Sequence, residues 1–175
     1  MYKEIKIGNI TVPLLANGAT PLRYKLIFGK DLMSEFQGAS ENAARAMDSL
    51  PELTFIMAKA AEAKEGKADM NLLNQQMYLE WLEQFGPMDL PMAADEIVNL
   101  YTGNMETKSE SKKKKRKTER EVNTPLYVLR CIQAGLRLSD LDVLDYGFIQ
   151  DMITELDNDS YKYKDVANQA DFDKF

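Results

Sequence analysis

The sequence predicts a mainly α-helical fold: an N-terminal β-hairpin leading into a helical domain, a disordered basic linker and a small helical C-terminal module. Three observations predict it. The first dozen residues alternate in polarity about a Gly-Asn pair, as a two-stranded hairpin requires. From Thr20 onward the apolar residues recur at helical spacing between Gly and Pro breakers. A basic run, Lys112-Lys113-Lys114-Lys115-Arg116-Lys117, divides an otherwise acidic chain. Residues 1–104 carry 9 Lys and Arg against 14 Asp and Glu, residues 105–121 carry 8 against 4, and residues 122–175 carry 5 against 10. The middle stretch has almost no apolar residues, so it buries too little surface to offset the entropy of ordering it. The expected division is therefore 1–104, a linker over 105–122, and 123–175. About a hundred residues can form a core alone, whereas some fifty are marginal.

Lys3 to Ile7 and Ile10 to Val12 form the expected strands, with Gly8 at the first turn position suiting a type II′ turn. Thr20-Pro21 reads as an N-cap followed by Pro at the first helical position, opening Leu22 to Phe28 and stopping near Gly29. A short helix covers Asp31 to Phe36. Ser49-Leu50-Pro51 opens the next, with Leu53, Ile56, Met57 and Ala60 on one face and an end at Gly66. Asp69 caps a helix carrying Tyr78, Trp81, Leu82 and Phe85, and Pro91 precedes one carrying Ala93, Ile97, Leu100 and Tyr101 that ends near Gly103-Asn104. Beyond the linker, Thr124-Pro125-Leu126 opens a helix ending near Gly135. Its likeness to Thr20-Pro21-Leu22 reflects helix-start chemistry rather than duplication, because the following residues diverge. Ser139 and Asp142 resemble a capping box opening the last stretch. In that stretch Leu141, Leu144, Phe148, Met152 and Leu156 share a face, and Gly147 marks a kink or split.

Composition excludes much chemistry. There is no histidine, which rules out Ser-His-Asp and Cys-His catalysis and any His-containing zinc site. The single cysteine, Cys131, rules out an internal disulfide and suits a reducing compartment. No apolar h-region opens the chain, and no stretch approaches the roughly 20 apolar residues of a membrane span. Glycines fall at helix ends, without a phosphate-binding loop. The pairs Asp140/Asp142, Asp157/Asp159 and Asp171/Asp173 read as solvated helix ends and caps; the nearest approach to a calcium loop, from Asp157, lacks the required glycine and glutamate. No catalytic residue, metal or cofactor is assigned.

Other features point to partners. Phe172 and Phe175, at i and i+3 in a net-acidic tail, fit either packing on the chain's own core or docking on a partner. Tyr161 and Tyr163, alternating with Lys162 and Lys164, fit addition to a sheet edge, with self-packing the simpler view. Ten methionines suit a surface adaptable to varied apolar partners. The lysine run reads as a solvated tether. A nucleic-acid-associated regulatory role for it is the runner-up, disfavoured by the acidic flanks and the lack of interleaved aromatics. Salt-sensitive nucleic-acid binding lost on Lys→Gln changes at Lys112–Lys115 would favour that role. At the level of the gene, consecutive Lys codons are A-rich and can form a slippery site for a ribosome.

The opening hairpin followed by Thr-Pro-Leu-Arg-Tyr-Lys-Leu-Ile-Phe-Gly-Lys-Asp-Leu (20–32) resembles the tail assembly chaperones of long-tailed, siphovirus-type bacteriophages. The segments 135–141, 146–152 and 167–175 resemble the C-terminal extension of the same proteins. The resemblance covers both modules and leaves out the lysine linker. It implies that the N-terminal domain coats the aggregation-prone tape measure protein and that the extension recruits major tail tube subunits. It also implies a short product and a longer one made by programmed frameshift, and a non-enzymatic protein. The implied place of action is the host cytoplasm, with the chaperone leaving before the virion is complete. Self-association is compatible with this picture, and a membrane partner is not expected.

Overall fold

The computed structural model describes residues 1–37, 43–112 and 121–161. The hairpin forms as its alternation dictates. β1 (Tyr2–Ile7) and β2 (Ile10–Leu15) pair antiparallel, with Ile5 opposite Val12 and Ile7 opposite Ile10. The two-residue connection has Gly8 at φ 59°, and no described non-glycine residue has positive φ, so the turn has the backbone signs of type II′ and not of type I′. Ile5, Ile7, Val12 and Leu14 all point inward and are buried, while Lys3, Glu4, Lys6 and Thr11 face water. A lone hairpin is marginal in water. Here the apolar face lies on α3 (Ala43–Lys64), and β1 also touches α6 (Ala94–Gly103).

The remaining elements are α1 (Thr20–Phe28), α2 (Leu32–Gln37), α4 (Gln75–Leu82), α5 (Asp89–Met92), α7 (Thr124–Gln133), a 3-10 turn (Leu138–Asp142) and α8 (Tyr146–Asn158). The fold is mainly helical with an N-terminal hairpin, as the sequence predicts. Its main core gathers the hairpin's inward residues with Tyr24, Leu32, Leu50, Leu53, Phe55, Ile56, Met57, Ile97, Leu100 and Tyr101. A chain of edge-on aromatic contacts extends it outward: Phe28 to Tyr78 at 5.1 Å, Phe55 to Trp81 at 5.6 Å and Trp81 to Phe85 at 4.8 Å. That chain attaches α4, none of whose residues is fully buried.

Several expected caps are supplied by other residues. Thr20 does not cap α1. Its hydroxyl instead accepts from the Asn17 N–H and donates to Asn17 Oδ1, inside a buried turn. Asn74 caps α4, accepting from the Met77 N–H at 3.0 Å, whereas Asp69 accepts from the Asn71 N–H in the preceding turn. Asn123 caps α7, accepting from the Leu126 N–H at 3.0 Å. Asn123→Ala is expected to cost about 1 kcal/mol, read as a lowered melting temperature. α3 begins at Ala43 rather than at Ser49, with Pro51 inside it. Pro51 removes one amide donor, but Ser49, Leu50 and Leu53 flank it buried in the core, and tertiary packing outweighs the lost bond.

The last stretch also departs from expectation. The chain turns between the 3-10 segment and α8, and this shifts the helical phase. Tyr146 and Ile149 are buried with Ile153 partly so, while Phe148 is 54% exposed and Leu156 51% exposed. Arg137 and Asp140, rather than Ser139 and Asp142, form the capping contact, with the Arg137 N–H donating to Asp140 Oδ2 at 2.8 Å. Gly147 neither kinks nor splits a helix: it lies in the first turn of α8, where a Cβ would overlap the Glu106 carbonyl.

Candidate partner-binding surfaces

Residues 124–158 lie on the N-terminal part across a seam of paired backbone and side-chain hydrogen bonds. Asn17-Gly18 turns the chain from β2 into α1 and leaves two amides facing outward. The Gly18 N–H donates to the Leu144 carbonyl at 2.7 Å and the Ala19 N–H to the Leu141 carbonyl at 2.8 Å. The Tyr127 hydroxyl donates to the Gly18 carbonyl at 3.0 Å, and Asn17 Nδ2 donates to the Asp142 carbonyl at 2.7 Å. Gly18 is required by proximity, since a Cβ there would overlap Ile149 and crowd Tyr127. Beneath these bonds Ala19, Met33, Tyr127, Cys131, Leu141, Tyr146 and Ile149 form a second, smaller buried cluster.

Charged groups close both ends of the seam. Arg23 reaches Asp142 at 2.9 Å and Asn71 Oδ1 at 3.0 Å. Asp31 accepts from the Thr124 N–H and from its hydroxyl at 3.0 Å, and pairs with Lys25 at 3.1 Å. Burial alone would raise the Asp31 carboxyl, but the Lys25 ammonium and the two Thr124 donors outweigh it and hold the carboxyl below its usual range. Across the cluster, burial pushes the Tyr146 hydroxyl up to about 12 and raises the Cys131 thiol as well.

These shifts predict a pH window for the seam. Asp31 has a depressed folded pKa, so its contribution is present above the unfolded carboxyl range and is lost as pH falls through the folded value. Tyr146 has a raised one, so its contribution is complete below about pH 10 and fades as pH rises toward about 12. The protection factors of the amides at Thr124–Cys131, corrected for intrinsic base-catalysed exchange, should therefore fall at both extremes. Asp31→Asn should weaken the acid limb while leaving the alkaline one.

Beside the seam, a cleft of about 630 Å³ opens between the end of β2, the last turn of α3, residues 68–71 and residues 142–145. Leu15, Ala60 and Met70 form its apolar side, and Arg23, Lys64 and Asp142 its polar side. Met1 reaches across this region, its amino group donating to Asp145 and to the Ala16 carbonyl. Other apolar side chains are exposed on or beside α4 and α5. Here Leu72, Leu79, Met88 and Met92 are exposed, Met92 to 82%, outside the aromatic chain that holds α4 down.

Of the partner-binding and basic-run residues singled out in the sequence, only Tyr161 and Lys112 are among the described ones. Tyr161 follows α8, half exposed, with its N–H donating to the Asn158 carbonyl. Tyr163, Phe172 and Phe175 lie outside the described residues, as do Lys113, Lys114, Lys115, Arg116 and Lys117. Lys112 is described: its N–H donates to Asn158 Oδ1 at 2.8 Å, and its ammonium lies 3.9 Å from Glu110. The stretch from Met105 to Lys112, assigned to the linker, runs along α8, where Asp151 accepts from the Lys108 and Ser109 N–H groups. The side chains of Asp151 and Asn158 supply there the partners that the segment's own composition lacks. The seam itself was missed. The Asn17-Gly18 dipeptide signals a turn, but nothing in it says that its amides face another part of the chain.

Among the described residues no helix is long and apolar enough to cross a membrane, and no three Cys, Asp or Glu side chains are grouped to hold a metal ion. Comparison with known protein families, curated proteins and solved structures gives no match for this chain.

Proposed function

We propose that this chain is a non-enzymatic assembly chaperone of long-tailed bacteriophage tails. In this reading residues 1–104 hold the tape measure protein in solution and residues 123–175 recruit the major tail tube protein in the host cytoplasm. The resemblance of residues 20–32 and of the C-terminal segments suggests it. The observation that supports it best is the exposure of Leu72, Leu79, Met88 and Met92 on or beside α4 and α5. The unbranched, polarisable Met88 and Met92 at the ends of α5, together with Leu79 on the thinly anchored α4, suit the apolar faces of varied helices. A long tape measure segment would present many such faces. A second recruiting module on the same chain would raise the local concentration of tube subunits.

Co-expression with tape measure fragments tests this. The chain is expected to keep a fragment soluble and to co-purify with it. Met88→Glu together with Met92→Glu should reduce recovery about tenfold, the loss of roughly 1.4 kcal/mol of binding. The double variant should keep its helical signal, because exposed substitutions cost little. A chain that holds no tape measure fragment in solution is not such a chaperone. Intact mass spectrometry of products from the native gene region should separately reveal a shorter product ending just after the lysine run beside the full-length one.

A further inference from the structure

The seam is specific chemistry between two stretches of sequence, and its central bonds come from residues 17–31 and 124–144. The joining chain adds the Lys108 and Ser109 N–H bonds to Asp151 and the Lys112 N–H bond to Asn158. The N-terminal face offers the Gly18 and Ala19 N–H groups, the Gly18 carbonyl, Arg23 and the Asp31 carboxylate, over an apolar floor that includes Ala19 and Met33. Residues 124–158 answer with the Leu144 and Leu141 carbonyls, the Tyr127 hydroxyl, Asp142 and Thr124, and seat Leu141 and Ile149 on that floor. Donors meet acceptors along these bonds, so recognition rests on their geometry as well as on tethering.

We propose that this face also binds residues 124–158 of a second copy, so that chains exchange their C-terminal segments. The contacts are the same within one chain or between two. Attachment favours the chain's own segment only through local concentration, on the order of millimolar for a short connection. Exchange therefore grows with protein concentration and with anything that opens the internal contact. The two sides have the same sign of net charge, 9 basic against 14 acidic residues in 1–104 and 5 against 10 in 122–175, and salt screens this repulsion while weakening the attractive Arg23–Asp142 pair across the seam. The inference is independent of the chaperone reading, since it involves no molecule other than this one.

Complementation between two full-length variants tests it. Gly18→Leu blocks the face, because a side chain there overlaps Ile149 and crowds the Tyr127 hydroxyl and the Leu144 carbonyl. Ile149→Asp spoils the segment by placing a carboxylate in the apolar cluster. Each chain then keeps one sound half. Light scattering after gel filtration and native mass spectrometry should find either variant alone to be monomeric. An equimolar mixture should form a one-to-one heterodimer, about tenfold more abundant than any dimer of either variant alone. A mixture that stays monomeric while both variants keep the parent's helical signal overturns the proposal. If one of them loses that signal, the milder pair Ala19→Met and Leu141→Ala is read in the same way: a heterodimer supports exchange, and persistent monomers reject it.

Discussion

Replacing Phe55 by alanine is expected to cost about 3–5 kcal/mol, the range for truncating a buried aromatic side chain. Phe55 is fully buried and meets Phe28, Tyr78 and Trp81 edge-on, at 6.5, 5.5 and 5.6 Å. Its removal strips the inner support from the aromatic chain that holds α4, so the void cannot be filled by a small shift of one neighbour. Chemical denaturation should give an earlier midpoint with protection lost from β1 through α6. A midpoint within experimental error of the parent's would show that Phe55 is not the keystone of that core.

Tyr127→Ala should cost a comparable amount, about 3–5 kcal/mol, but over a different part of the molecule. Tyr127 is buried, its ring lies 4.7 Å from that of Tyr146, and its hydroxyl satisfies the Gly18 carbonyl. Truncation leaves a void in the small cluster and a buried carbonyl without its donor. Hydrogen exchange should show protection collapsing over 124–158 while the hairpin, α3 and α6 stay protected. Uniform loss across the chain would mean that the two clusters unfold as one unit. Tyr127→Phe separates the causes, since it removes the hydroxyl and keeps the ring. It should give only about 1–3 kcal/mol of the loss.

What the sequence revealed follows the physics of each signal. The hairpin was legible because its register and turn are local, set by alternation and by Gly8. The starts of α1 and α7 were legible from Thr-Pro, although the capping oxygen of α7 belongs to Asn123 and Thr20 is spent on Asn17. Pro51 misled because proline usually marks a helix start, and only the buried side chains around it keep α3 continuous. The stripe of Leu141, Leu144, Phe148, Met152 and Leu156 was read as one face, but the turn before Tyr146 resets the phase and leaves Phe148 and Leu156 in water. The seam was invisible for a deeper reason. Its central bonds come from the backbone of Gly18, Ala19, Leu141 and Leu144, groups that nearly every residue possesses, so no side-chain pattern encodes them. Asp31 and Thr124 are readable residue types, yet their meeting depends on the whole intervening fold.

The Ala19 N–H bonded to the Leu141 carbonyl has a consequence for the order of events during synthesis. A ribosome adds about 5–20 residues per second, so roughly ten seconds pass between the emergence of Ala19 and that of the last residues needed to cover it. Throughout that interval the Gly18 N–H waits for its acceptor and the Ala19 N–H has only Asn17 Oδ1, 3.1 Å away. The earliest-made face of this protein is completed by residues 141–149, among the last made of the described residues, and on a crowded polysome the first such segment to arrive can belong to the neighbouring nascent chain.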